Sequence, residues 1–406
     1  MRTPFSAPVA KRDCVSAYDA IIIGAGAAGL YCALHAGQRG KRVLVLEHNA
    51  DVGAKILISG GGRCNFTNID AGDHRRFLSA NPHFARSALT RHGPRDFIAL
   101  VEKHRIAYYE KTLGQLFCEG ARSSAHIVRM LLDECAAGGV DVRTGCTIAS
   151  VRRTDRFVVD TSQGAFESDT LLVASGGLSI PKLGATPFAY RLAEQFGVPV
   201  VAPRAGLVPL TFNETDLAWM RPLTGVSADV RVSLGDAAFR EAALFTHKGL
   251  SGPAILQISS YWRPGNEIVI DWLPGAADDV LVARKRERPK AQLKTALGEF
   301  MSERLGAALG ERLPQGVLGD MKDALLIEIG RALKAWPLRP HGTEGYAKAE
   351  VTVGGVDTAA LSQQSMACRA LPGLFFVGEA VDVTGWLGGY NFQWSWSSGW
   401  AAAQAL

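Results

Sequence analysis

The sequence predicts an α/β fold, doubly wound around a mainly parallel sheet whose strands come from both ends of the chain. Three observations carry this. Residues Tyr18 to Glu47 read as strand, glycine turn, small-residue helix and second strand, which is half of a doubly wound sheet. A buried apolar run, Thr170 to Gly177, stops at paired glycines. After a long stretch of different texture, glycine turns and apolar runs return in the last sixty or so residues.

A chain of 406 residues exceeds the size at which one core usually stops growing, so two or three domains are expected. Residues 1–17 mix Pro, Ser and charge without periodicity and read as a flexible tail. Order is expected from Tyr18, and residues 18–195 form the first part of the doubly wound domain. Within it, AKILISGGGRCNFTN reads as a loop, because three consecutive glycines suit neither a helix nor a strand interior. Residues from about 82 to 139 are helical in pattern, through FIALVEKH and IVRMLLDECAA. Short strands follow at VDVRTG and FVVDTS. Residues 196–275 change to short alternating runs such as ADVRVSLG and EIVIDWLP and predict an inserted β-rich domain. Residues 276–344, with LKTALGEFMSERLGAAL, predict a helical subdomain, and residues 345–406 complete the first domain.

Bulk composition narrows the function classes. The chain is 47% hydrophobic and 20% charged, which excludes disordered and fibrous proteins. A net charge of +5 suits anionic partners, phosphates or RNA, without requiring them. The seven cysteines, at 14, 32, 64, 118, 135, 146 and 368, form no CxxC pair, and free thiols in a reducing compartment are expected. No continuous apolar signal segment opens the chain, and no run is a convincing membrane span, so a cytoplasmic location without a membrane partner is expected. The histidines are scattered without HxxxH or Cys/His ligand spacing, which argues against a metal site. No GxSxG follows a strand, which argues against a serine hydrolase.

Gly24, Gly26 and Gly29 form GxGxxG between the predicted strand and helix, and Glu47 closes the next strand. The first glycine permits the tight turn, the second lets the amides of Ala25 and its neighbours approach a pyrophosphate, and the third lets helix and strand pack beside Ala28. Glu47 is placed to accept hydrogen bonds from an adenosine ribose. Two further glycine-rich segments are suited to contacts along a longer cofactor. Lys55, Ser59, Gly60, Gly61, Gly62, Arg63, Cys64 and Asn65 offer amides and cations to phosphates or a flavin edge. Gly378 and Glu379, after the run LFFV, offer a carboxylate to ribityl hydroxyls, with Gly176 at the end of the intervening strand. The alternative for each is a tight structural turn. Gly388, Gly389, Tyr390 and Asn391 begin a C-terminal helix whose amide dipole would favour negative charge on a reduced flavin. Phe392, Trp396 and Trp400, at four-residue spacing, read as a core stripe. These turns together point to FAD. No second GxGxxG follows a later strand, so NADH or NADPH, as electron donor, would visit only transiently.

The strings GAGAAGL, KILISGGGRCNFTN, EKTLGQLFC, LFTHKGLSGPAILQISSYW, GTEGYAKAEVTVGGVDT and VGEAVDVTGWLGGYNFQWSW make the chain resemble the bacterial HI0933-like family of FAD-dependent flavoproteins from Tyr18 onward. The resemblance implies a glutathione-reductase-like, Rossmann-type FAD domain split in sequence, an inserted β-barrel-like domain with a helical piece, and an oxidoreductase activity. It also implies reduction of a conjugated C=C bond, with a uridine of large-subunit ribosomal RNA as first choice in the branch this chain is most similar to.

Such a reduction needs a side-chain acid beside the flavin. Cys64, in the glycine loop, and Cys118, in a turn-like segment after Leu116 and Phe117, are the candidates; the alternative for each is an inert small hydrophobe, the usual role of a buried cysteine. His247 and Lys248 precede an expected helix capped by Ser251. They are either an ordinary helix approach or a place for a substrate phosphate. Arg284 to Lys294 carries six basic residues against Glu287. This run is a solvated face or, with Arg75, Arg76 and Arg91, a source of RNA phosphate contacts. Two other readings remain at this stage: reduction of a small-molecule enone or quinone, and a non-catalytic flavin-containing binding or redox-sensing protein.

Overall fold

A computed structural model describes residues 16–406. Residues 1–15 of the expected tail lie outside the described residues, and its last two, Ser16 and Ala17, instead pair with Phe166 and Glu167 in the first strand.

Apolar runs without polar alternation form strands covered on both faces. Strand β1 (Ser16–Ile23) pairs in parallel with β2 (Val43–Leu46) on one side and with Gly164–Val173 on the other. The far side of β2 takes Asp141–Arg143, also in parallel. The long strand Gly164–Val173 divides its remaining edge. Its first residues pair antiparallel with Phe157–Thr161, and Leu171, Leu172 and Val173 pair in parallel with Leu374–Phe376. The C-terminal part of the chain therefore supplies a strand to the N-terminal sheet. Ile23 is level with both Leu46 and Val173, and Val173 with Phe376, so four parallel strands end together.

Helix α1 (Ala27–Gln38) packs against the C-terminal helix Tyr390–Ala403, and small residues set the distance. A Cβ at Gly399 would lie 2.6 Å from the Ala28 carbonyl oxygen. In the aromatic stripe of the C-terminal helix Trp396 is fully buried, stacks on Phe97 at 4.2 Å and donates its indole N–H to the Phe66 carbonyl, while Phe392 and Trp400 are half-buried.

The segment 82–139 is not continuously helical. Helices Arg86–Arg91, Pro94–Lys103 and Ser124–Ala137 are separated by antiparallel strands Tyr108–Glu110 and Gln115–Cys118. The second of these also pairs with β3 (Asn65–Asn68), a non-local partner that no local periodicity reveals.

The chain divides into two compact units. The first contains the described residues through Gly177, then Leu183–Ala202 and Gly354–Leu406; the second contains Leu178–Lys182 and Pro203–Val353. The second unit thus takes in the expected helical stretch 276–344 and the expected β-rich stretch 196–275 from Pro203 onward. Its sheet is seven-stranded and antiparallel, in the order Trp336–Leu338, Ile268–Asp271, Ser227–Leu234, Ala237–Thr246, Gly249–Ser251, Leu210–Thr211, Gly342–Thr343. The helix Pro253–Ser259 begins after Gly252, at φ +88°, and not at Ser251. Ser251 is taken by strand pairing opposite Leu244. No helix of the described residues is long and apolar enough to cross a membrane.

Candidate functional site

In an open parallel sheet the crevice beyond the carboxyl ends of the strands is where ligands sit. All the level strand ends of the first unit run into segments singled out above: β1 into Gly24, β2 into Glu47, Gly164–Val173 into Gly176, and Leu374–Phe376 into Gly378 and Glu379.

The first turn is built for close approach. Gly24 has φ +106°, and a Cβ there would lie 2.6 Å from the Ala174 carbonyl oxygen. A Cβ at Gly29 would lie 1.9 Å from the Gly24 oxygen. Gly26, by contrast, has nothing within 4 Å of its Cβ position, so that side of the loop is open. Gly26 is also the N-cap of α1, and no side chain caps the helix, which leaves its first amides facing the opening. Beside them, the Ser175 hydroxyl oxygen is buried with no hydrogen-bond partner among the described residues. An uncapped helix start, an open glycine face and an orphaned hydroxyl fit a dinucleotide pyrophosphate. The Glu47 carboxylate is 7% exposed and already holds the turn from within, accepting from the Ala25 amide at 2.9 Å and the Asn49 amide at 2.9 Å. Four lone-pair positions leave it further capacity.

The second turn meets the first directly. A Cβ at Gly378 would lie 2.8 Å from the Ala28 Cβ. Its backbone is fixed from the C-terminal helix, where Ser398 Oγ accepts from the Gly378 amide at 3.0 Å and the Trp394 indole donates to the Gly378 carbonyl at 3.0 Å. Glu379 Oε2 pairs with Lys55 Nζ at 2.6 Å and lies 3.9 Å from the Cβ position of Gly176. Lys55 reaches it from α2 (Ala54–Gly62), whose first part is helical although the sequence reads as loop throughout.

At Ser59, Gly60 and Gly61 that helix breaks: Ser59 has ψ 147°, and the two glycines have φ +58° and +66°. Ser59 accepts at its carbonyl from the Cys64 amide at 3.1 Å, which closes the turn over Gly62. Arg63 donates to the Tyr109 hydroxyl at 3.2 Å, on the strand Tyr108–Glu110. The Asn65 amide group donates to the carbonyls of Leu116 and Thr67 and accepts from the Gly389 amide at 3.2 Å, which joins this loop to the third glycine turn. Gly388 and Gly389 then start the C-terminal helix, and a Cβ at Gly389 would lie 2.4 Å from the Thr67 carbonyl oxygen. Tyr390 is buried, with its hydroxyl on Arg76, and Asn391 closes its own turn by bonding both the amide and the carbonyl of Gly385. The side chains of Tyr390 and Asn391 are therefore engaged within the protein. Ser175 and Ser398 were not singled out from sequence. Ser175 had a signal, its position in the ASGG end of a buried run; Ser398 had none, because its role depends on helix packing.

The structure places Cys64 immediately before β3 and Cys118 at the end of the strand that pairs with it, both with no solvent exposure. Burial pushes the Cys118 thiol up to about 12 and the Cys64 thiol further up. Both thiols sit among core side chains, the ordinary place of a buried cysteine. His247 and Lys248 lie exposed between two strands of the second unit, with Lys248 3.3 Å from Glu344.

Comparison with known proteins agrees with the geometry. The family described as HI0933-like protein Rossmann domain matches residues 18–405. The chain is 49% identical over 400 residues to the ribosomal RNA dihydrouridine synthase of Escherichia coli (strain K12), covering 96% of this chain and 98% of that protein. It is 45% identical over 396 residues to the protein of the same name from Haemophilus influenzae, covering 95% and 98%. It is also 28% identical over 406 residues to a 3-dehydro-bile acid delta(4,6)-reductase of Clostridium scindens, covering 95% and 98%.

Proposed function

The chain belongs to the HI0933-like family and is an FAD-dependent oxidoreductase, and from that premise we propose that it reduces a uridine of large-subunit ribosomal RNA to dihydrouridine. The observation that carries this is the 49% identity to the Escherichia coli enzyme over nearly the full length of both chains. A ribosomal RNA substrate agrees with a cytoplasmic location.

Reduced FAD, when bound, supplies the two electrons and one hydrogen for the uracil C=C bond, and a proton completes the neighbouring carbon. The chain's own residues hold and orient it. The amides of Gly26, Ala28 and Gly29 and the Ser175 hydroxyl are left for the pyrophosphate, while the Ala25 amide is held on Glu47 and Gly24 keeps the turn tight against the sheet. Glu47 takes the adenosine ribose. Gly176, Gly378 and Glu379, the last oriented by Lys55, line the ribityl stretch. The loop Ser59, Gly60, Gly61, Gly62, Arg63, Cys64 and Asn65 meets the turn Gly388, Gly389, Tyr390 and Asn391 at the flavin end, where the Asn65 side chain accepts from the Gly389 amide. There the C-terminal helix N-terminus favours negative charge.

The test is a nucleoside mass map. Ribosomal RNA from a strain lacking this chain is expected to lose one dihydrouridine, restored on complementation; an unchanged map removes the substrate. A second reading, reduction of a small enone with NADH or NADPH as donor, is favoured by the bile acid reductase relative. Turnover of enones that is indifferent to added RNA would select it.

A further inference from the structure

Residues 74–95 of the first unit, HRRFLSANPHFARSALTRHGPR, contain five arginines and three histidines and no acidic residue. Arg75, His83, Arg86, Arg91 and Arg95 are exposed. Part of this face forms a hollow of about 420 Å³ lined by His83, Arg86, Ser87, Thr90, Arg91 and Gln363. The side chains of these residues carry two guanidinium groups, two hydroxyls, an imidazole and an amide, a set of donors suited to phosphate oxygens. Arg91 is held in position, bonded to the Gln364 carbonyl and lying over the Trp400 ring at 5.3 Å, so little side-chain freedom remains to be lost on binding. Carboxylates do neutralise part of the segment: Asp73 pairs with Arg75 and Asp70 with Arg76. Among the described residues none pairs with Arg86, Arg91 or Arg95.

The other basic run is different. Arg284 pairs with Glu287 and Glu299, Lys285 with Asp323, and Arg288 with Glu299, so half of its six cations are already compensated. We propose that the 74–95 face, centred on Arg86 and Arg91, is the surface that binds backbone phosphates of the RNA substrate. This rests on the reading that the substrate is RNA.

The experiment measures binding of a labelled large-subunit RNA fragment to the FAD-loaded protein as a function of salt, alongside dihydrouridine formation. Each lost phosphate contact lowers the slope of log K against log salt by about 0.7–0.9. R86Q/R91Q is expected to lower it by roughly 1.4–1.8 and to slow conversion at limiting RNA, with flavin absorbance and thermal midpoint as folding controls. R86Q alone, which disturbs no internal contact, should lower it by half as much. R286Q/K290Q, on the other run, should leave it unchanged. Wild-type protein that converts RNA while R86Q and R86Q/R91Q keep its slope and affinity overturns this surface and leaves the substrate reading intact. So does a loss confined to R286Q/K290Q. Wild-type protein that neither binds nor converts RNA overturns both.

Discussion

A methyl group added at Gly26 meets no protein atom within 4 Å, whereas one added at Gly29 would sit 1.9 Å from the Gly24 carbonyl oxygen. The two glycines of one motif therefore fail differently. Gly26→Ala is expected to leave the flavin-free protein as stable as wild type while reducing FAD retained per chain, because the new methyl occupies the open side of the loop. Gly29→Ala is expected to lose about 1–3 kcal/mol of stability with or without FAD, since helix and strand must move apart. Denaturation of both flavin-free variants, with their flavin absorbance, separates these outcomes; equal destabilisation would contradict the geometry. The roles of single residues were only partly legible beforehand. GxGxxG spacing marks Gly24, Gly26 and Gly29 because each lies within one turn of the next. Nothing local tells that Cys64 and Cys118 face the core, since that depends on β3 meeting a strand fifty residues away.

Between α1, the helix Pro94–Lys103 and the C-terminal helix lies an aromatic cluster of buried Tyr31, His92, Phe97 and Trp396 with half-buried His35 and Trp400. Tyr31 hydroxyl and His92 Nε2 are 2.6 Å apart, and the His35 Nε2 is buried without a partner among the described residues. Burial holds both imidazoles down to about 4; His92 adds to the effect on His35, while Glu134 opposes it there and Asp96 opposes it at His92. In the unfolded chain they titrate near 6.5. Below that pH the unfolded state takes up protons that the folded state refuses, so stability is greatest above about 6.5 and falls as pH drops towards 4. For one such histidine the loss at pH 5 is about 2 kcal/mol. Urea unfolding at pH 7 and pH 5 should register this loss in the wild type, and a smaller one in His35→Phe; the same drop in both would place the acid sensitivity elsewhere. The helices that form this cluster were readable from apolar spacing. Their mutual packing was not, because Gly399 and Ala28 set the approach of two helices from opposite ends of the chain.

Across the whole molecule, the cofactor couples segments that are remote in sequence: residues near 24, 55, 176 and 379 surround one crevice, and residues near 65 and 389 meet through Asn65. A ligand bound only by the folded state stabilises it by mass action. Adding FAD to the stripped protein at a hundred times its Kd is therefore expected to raise unfolding free energy by about 2.7 kcal/mol, read as a higher thermal midpoint. NADH at the same concentration should not reproduce it, and an unmoved midpoint with FAD would contradict a crevice shared by these segments. The sequence by itself determined the strand–turn–helix–strand unit, the glycine turns and the return of the C-terminal part to the first domain, because each is written in local apolar runs and in residues that tolerate left-handed backbone. Only the tertiary structure decided which turns meet, which side chains are spent on internal bonds, and which basic stretch stays uncompensated. The meeting of the turns depends on strand register and helix packing between residues up to hundreds of positions apart, and the charge compensation on which side chains the fold brings within reach of each other, neither of which a periodic pattern encodes.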